Sequence, residues 1–232
     1  MGPRYRWVVL AVGASFSALE VVPLTLLGIE ARNTLRLEGA APWMRRYRWP
    51  LRFFVGVAFW NAVGAGLFGF LINPPIALYY LQGLNTTPVH AHSALFGVYG
   101  LLALGLCLIV ARRLSGERPW NERALSLAFW CMNLGLGAMI VFSLLPIGLA
   151  QAVASVDVGL WYARSAEFLQ QPLIIGLRWA RMLGDVVFLV GVGAFVWFLI
   201  GLVRRSDPAQ AGEGAASEPE RTSVTAELSA AE

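Results

Sequence analysis

The sequence predicts an all-α integral membrane protein with five transmembrane helices. Of its 232 residues, 57% are apolar and only 14% are charged, and the mean hydropathy of +0.62 is too high for a water-soluble domain. Five apolar runs have about 20 residues, the length needed to cross about 30 Å of hydrocarbon. They lack the polar alternation of transmembrane β-strands. The predicted spans are residues 7–29, 53–72, 88–111, 124–149 and 184–203.

Arginine determines the predicted orientation of these spans, because all 18 basic residues of the chain are arginines. Cytoplasmic loops of membrane proteins carry an excess of basic residues. Arginine is concentrated before the second and after the third predicted span, whereas residues 73–87 between them carry no charge. The arginines concerned are Arg32, Arg36, Arg45, Arg46, Arg48, Arg52, Arg112, Arg113, Arg118 and Arg123. We therefore predict that both arginine-rich loops and the C-terminus are cytoplasmic and that the N-terminus lies outside.

The first predicted span starts close to Met1 and has no cleavable signal pattern. An outward N-terminus is expected when upstream spans are missing, so the sequence favours part of a longer or split membrane protein. In the alternative interpretation, the arginine cluster after the span simply drives its insertion in this direction.

Glu20 is a carboxylate about midway along the first span, inside the predicted hydrocarbon region. Such a residue marks a proton or ion route, or else it is protonated and hydrogen-bonded to a neighbouring helix. Pro23 is expected to kink the same helix.

The second span carries Gly64, Gly66 and Gly69, which give one helix face without bulk. This face permits the close approach of another helix, which is the commoner explanation, or of a planar ligand. The Asn73-Pro74-Pro75 sequence ends this span, and Pro88 begins the next at a position where a missing N–H is harmless.

His90 and His92 are the only two histidines of the chain, and both lie in the first turn of the third predicted span. Residues two apart on a helix are separated by about 200°, so the two rings leave opposite faces and cannot bind one metal together. The pair therefore predicts two separate sites. Imidazole is a common iron ligand, and two rings pointing in opposite directions suit two flat cofactors on either side of one helix.

The remaining segments carry less chemistry. Residues 150–183 contain mixed charges and are predicted to form an external, partly helical lid. The membrane domain ends at residue 205, and residues 206–232 are predicted to be a disordered cytoplasmic tail. Cys107 and Cys131 are expected to be small core residues, and no nucleic-acid-binding signature is present.

Several of these segments resemble the large subunit of bacterial nitric oxide reductase, especially the quinol-dependent kind, within the heme-copper oxidase superfamily. The similarity covers residues 7–203 and follows the order and spacing of the family's motifs. The segments are SALEVVPL, FWNAVGAGLFGFLINPPIALYYLQGLNTTPVHAHSALFGVYG, FWCMNLGLGAMIVFSLLPIGLAQ, WYARSAEFL and LRWARMLGDVVF.

The resemblance implies specific roles for five residues. His90 would bind the iron of a high-spin heme and His92 the iron of a low-spin heme, both hemes being of the b type. Glu20 matches a carboxylate near the catalytic pocket. Arg178 and Arg181 resemble basic residues near heme propionates, although ordinary interfacial arginine is an equal alternative.

The resemblance also implies that this chain corresponds to only the last five helices of a twelve-helix subunit. The family's non-heme iron is held by further histidines, which the chain lacks. Missing N-terminal helices, or a separate subunit that carries them, would be required, so the chain by itself is expected to be inactive.

The activity implied is that of a respiratory oxidoreductase of the bacterial inner membrane. It would reduce nitric oxide to nitrous oxide with electrons from a quinol or a cytochrome c. The alternatives are a terminal oxygen reductase of the same superfamily and a non-catalytic truncated remnant. A small transporter would show broken helices or an inverted repeat, and the sequence shows neither.

Overall fold

The computed structural model describes residues 3–38, 42–116 and 118–204. Within these residues the chain is helical without any strand, and five helices are long and apolar enough to cross a membrane. The predicted all-α membrane fold with five spans is therefore confirmed. The predicted tail, residues 206–232, lies outside the described residues. The spans, numbered in chain order, are Trp7–Leu26, Arg48–Ile72, Thr86–Ser115, Glu122–Asp157 and Pro172–Arg204.

Span 1 is interrupted at Glu20, which separates the helices Pro3–Leu19 and Val21–Glu38. The Glu20 N–H donates to a carbonyl three residues back, at 3.3 Å. Pro23 has no N–H to donate to the carbonyl of Leu19, so the helical ladder is broken at this point. Only 6% of the apolar window of span 1 is buried, and this span therefore packs on the others through a narrow face.

Spans 2 and 3 cross where each contains a π-helical segment, Asn61–Phe68 and Ser93–Gly100. A Cβ atom built on Gly64 would clash with the Cβ of Ser93, so the absence of a side chain permits this close approach. Single π-helical turns are often found at functional sites because they change the direction of side chains. Both segments lie within one or two turns of His90.

Spans 4 and 5 form the most extensive contact between two helices of the described chain. A Cβ on Gly135 would lie 2.5 Å from the backbone nitrogen of Phe188, and one on Gly184 would lie 2.6 Å from that of Met139. Lipid tails are as apolar as the side chains of leucine, so helices in a bilayer associate mainly through close packing of this kind.

The segment between the cores of spans 4 and 5 is largely helical. Span 4 continues to Asp157, the short helices Leu160–Ala163 and Ala166–Leu169 follow, and span 5 begins at Pro172. The two spans extend beyond the apolar windows from which they were predicted, because helices accept the charged and small polar residues that lower hydropathy.

The two ends of the bundle are joined by different polar contacts. At one end, the Arg48 guanidinium contacts the Glu122 carboxylate at 2.5 Å, and Trp49 Nε1 donates to the same carboxylate at 2.6 Å. At the other end, the Asn85 N–H donates to Gln151 Oε1 at 2.8 Å. We call these the arginine end and the histidine end, since His90 and His92 lie close to the second.

We expect Gly184→Val to separate spans 4 and 5, because its Cβ would meet backbone atoms of span 4 that cannot move aside. Overpacking of this kind costs about 1–3 kcal/mol. Thermal unfolding of the full chain in detergent, followed by circular dichroism, should show a midpoint several degrees lower.

The matched control is Gly193→Val, also in span 5, where a Cβ atom meets nothing within 4 Å. Equal midpoints for the two variants would contradict the close packing of spans 4 and 5.

Candidate functional site

The two histidines of span 3 face different helices. His90 Nδ1 lies 3.0 Å from the carbonyl oxygen of Gly64 in span 2. His92 lies against span 5, where the Arg181 guanidinium is 3.2 Å from His92 Nε2. The rings thus leave opposite faces of the helix, as residues two apart must.

The neighbours of His92 determine where its proton lies. His92 Nδ1 is 2.9 Å from the carbonyl oxygen of Pro88, which can only accept a hydrogen bond. The Arg181 guanidinium can only donate, so Nε2 must accept. The ring is therefore neutral, with its proton on Nδ1 and the Nε2 lone pair available.

His90 is held in a similar way. Because the Gly64 carbonyl can only accept, His90 Nδ1 carries a proton and Nε2 is left for another partner. Metal-binding histidines usually donate their other ring N–H to a carbonyl or carboxylate, which fixes the ring and directs the lone pair at the metal. Both histidines have this arrangement.

The close crossing of spans 2 and 3 positions His90. Gly64 provides both the room for span 3 and the carbonyl oxygen that anchors the ring. One turn further along, a Cβ on Gly69 would lie 3.2 Å from His90 Cε1, so the ring packs directly on the span 2 backbone. Ser93 Oγ donates to Val89 O at 2.7 Å, which satisfies a buried hydroxyl at the crossing.

A cavity of about 660 Å³ opens beside His92 at the histidine end. This volume is within the range of cofactor and ligand pockets, about 300–1,000 Å³. Its wall combines the imidazole with three guanidinium groups and a few amides and hydroxyls. The polar and charged residues lining it are Asn85, His92, Ser143, Gln151, Arg164, Arg178 and Arg181.

The arginines that the sequence suggested both line this cavity. Arg181 is half-buried and bridges span 3 and span 5, since its guanidinium contacts His92 and also Asp185 Oδ1 at 3.3 Å. Arg178 is exposed one turn earlier on span 5. A planar fork of N–H donors suits a carboxylate group that entered the cavity.

Arg164 is a third cavity arginine, which the sequence reasoning did not assign to the site. It lies beyond span 4, and its guanidinium packs against Gly83, where a Cβ atom would be 2.7 Å from Nη2. Gly83 has a φ of +69°, a conformation that favours glycine. Arg164 Nε is buried without a hydrogen-bond partner among the described residues. No sequence periodicity could have related Arg164 to His92, because the two residues meet only through the fold.

Gln151 holds the wall of the cavity together. Its Oε1 accepts from the Asn85 N–H, and its Nε2 donates to the Ala163 carbonyl at 2.9 Å. Gln151 is buried, so these hydrogen bonds avoid the cost of an unpaired amide, about 1–3 kcal/mol. They connect the loop before span 3 to the short helix that precedes Arg164.

Glu20 is not brought into contact with the histidines. Its side chain is exposed at the break in span 1, and no hydrogen bond or ion pair within the described residues joins it to another side chain. Span 1 approaches span 2 near Gly66, where Val21 Cγ2 lies 3.7 Å from the position of an added Cβ. A role for Glu20 therefore stays a prediction.

The residues present fit flat iron cofactors better than a bare metal ion. Each histidine offers one oriented lone pair, and His92 has a cavity with basic groups beside it. Within residues 3–38, 42–116 and 118–204, no three histidine, cysteine or acidic residues form a group that could hold a metal ion. A heme needs only an axial ligand from each side, because its four equatorial ligands come with it.

Comparison with known proteins agrees with this geometry. Residues 4–187 match the family model described as cytochrome c and quinol oxidase polypeptide I. A nitric oxide reductase polypeptide from Stutzerimonas stutzeri is 26% identical over 214 residues, which are 84% of this chain and 42% of that protein. The chain thus spans less than half the length of this relative.

Proposed function

Because the chain belongs to the cytochrome c and quinol oxidase polypeptide I family, we propose that it forms the C-terminal part of a membrane heme oxidoreductase that reduces nitric oxide to nitrous oxide. The observation that carries this proposal is the arrangement of His90 and His92. Both have Nδ1 anchored to a backbone carbonyl, and their Nε2 atoms are directed to opposite sides of span 3.

We propose that His92 binds a low-spin b-type heme and His90 a high-spin one. The cavity beside His92 supports the first assignment, because Arg164, Arg178 and Arg181 could neutralise the carboxylates of such a cofactor. When bound, the hemes would supply one-electron transfer and an iron position for a diatomic gas. The protein's part would be to hold each ring in place and to exclude water from the apolar interior.

The described residues do not supply a site for the family's non-heme iron, since both histidines are used by the hemes in this proposal. We propose that helices outside this chain, on the same polypeptide or on a separate subunit, hold that iron and the second axial ligand of the low-spin heme. Glu20 would act with them as a proton donor or as a group that shapes the iron site. Its exposed position at the break in span 1 leaves it accessible to such helices.

The reaction proposed is 2 NO + 2 e⁻ + 2 H⁺ → N₂O + H₂O, with a quinol or a cytochrome c as the electron donor. The nitric oxide reductase relative supports nitric oxide as the substrate. The family description, which includes oxidases, supports oxygen reduction as the second candidate. The arginine distribution supports an inner-membrane protein with its arginine end and C-terminus in the cytoplasm and its N-terminus outside.

We expect the two histidines to be separable by optical spectroscopy. With the missing helices co-expressed, His92→Ala should remove the low-spin b-type signal and His90→Ala the high-spin signal, because each imidazole would be the ligand of a different iron. The measurement is the reduced-minus-oxidised visible spectrum, with a pyridine hemochrome assay for heme content.

Each variant is the control for the other. Loss of the same signal in both variants, or of neither, would contradict two separate sites.

We expect the co-expressed complex to consume nitric oxide anaerobically and to release one nitrous oxide for every two nitric oxide molecules. An electrode for the gas and mass spectrometry of the product measure this stoichiometry. Oxygen consumption without nitrous oxide release would replace the proposal by oxygen reduction, and the absence of heme from the complex would reject both activities.

A further inference from the structure

An apolar groove runs along the outside of spans 2 and 4, away from the cavity at His92. It encloses a cavity of about 1010 Å³. Its lining is apolar except for Arg52 and Asn133. Aromatic residues form much of the wall, namely Phe59, Trp60, Phe68, Phe129, Trp130 and Phe142.

The floor of the groove has no unsatisfied polar side chain. Trp60 packs across Gly97 of span 3, and its Nε1 donates to Asn133 Oδ1 at 2.9 Å. Asn133 Nδ2 in turn donates to the Phe129 carbonyl at 2.7 Å. Since the amide and the indole satisfy each other, the groove presents hydrocarbon and ring surface to an occupant along most of its length.

The groove has the length of an extended hydrocarbon chain. It follows span 2 from Arg52 to Phe68 and span 4 from Phe129 to Leu145, which is about 24 Å on each helix at 1.5 Å per residue. One leaflet of a bilayer contributes only about 15 Å of hydrocarbon. An acyl chain that enters at one end could therefore lie in the groove in full.

A positive charge marks the entrance. Arg52 lies at the arginine end of the groove, where its guanidinium is 4.6 Å from the Trp49 ring. It is exposed and forms no ion pair among the described residues, whereas its neighbour Arg48 is paired with Glu122. Basic residues at the ends of transmembrane helices attract anionic lipid headgroups.

We propose that the groove binds one acyl chain of an anionic glycerophospholipid whose phosphate is held by Arg52. The charge at one end, the satisfied apolar floor and the length together select a single-charged amphiphile over a polar cofactor. This lipid site is separate from the histidines and does not depend on the proposed reductase activity.

Native mass spectrometry of the full chain, released from detergent, tests the proposal with dioleoylphosphatidylglycerol and dioleoylphosphatidylcholine as probes. The unaltered chain should retain one phosphatidylglycerol in preference to phosphatidylcholine. Gly137→Trp should abolish this retention, because Gly137 lines the groove and a Cβ there meets nothing within 4 Å, so the indole would fill the space. Gly193→Trp in span 5 has equally open surroundings and should retain the lipid.

The headgroup is tested separately. Arg52→Gln should lower the preference for phosphatidylglycerol over phosphatidylcholine about five-fold, the effect expected of one basic residue at the membrane surface. Arg113→Gln, an exposed arginine at the same end of the bundle, should leave the preference unchanged. Circular dichroism of each variant verifies its helical fold.

Three results would overturn the proposal. Equal lipid retention in Gly137→Trp and Gly193→Trp would place the lipid elsewhere. A retained quinone, or a second copy of the chain lost only in Gly137→Trp, would identify a different occupant. Equal preferences in Arg52→Gln and Arg113→Gln would remove the phosphate contact.

Discussion

The carbonyl oxygens of Gly64 and Pro88 hold the two histidine rings, and the rest of the site depends on these two hydrogen bonds. A carbonyl accepts but cannot donate, so each bond fixes a proton on Nδ1 and leaves the Nε2 lone pair directed away from span 3. The Pro88 bond is local to one helix. The Gly64 bond is tertiary, because it requires spans 2 and 3 to approach closely at Gly64 and Ser93.

The surrounding fold maintains this arrangement from both sides of span 3. On one side, π-helical turns in spans 2 and 3 meet at the crossing beside His90. On the other, Arg181 of span 5 reaches His92, and span 5 is held against span 4 through Gly135 and Gly184. The single membrane helix with two ring ligands is therefore supported by neighbours that pack through glycine rather than through bulky side chains.

Sequence reasoning predicted the features that depend on local pattern. Five apolar runs gave five spans, and the spacing of His90 and His92 placed their rings on opposite faces by helix geometry alone. Features that depend on tertiary contact were not predictable in this way. Arg164 joins the cavity, and Gln151 ties its walls, only because distant segments meet at the histidine end. The π-helical turns likewise have no signature in hydropathy. Glu20 was predicted from its charge in an apolar run, but its position in the fold depends on how span 1 packs.

The most direct test of the central claim is the tautomer of the two rings. Because the chain has only two histidines, solid-state NMR of a sample labelled with ¹⁵N in the imidazole rings, in lipid bilayers, reports on both without interference. The account predicts two neutral rings, each with its proton on Nδ1 and an unprotonated Nε2. A proton on Nε2 of either ring would contradict it, since that lone pair could then not be directed at an iron.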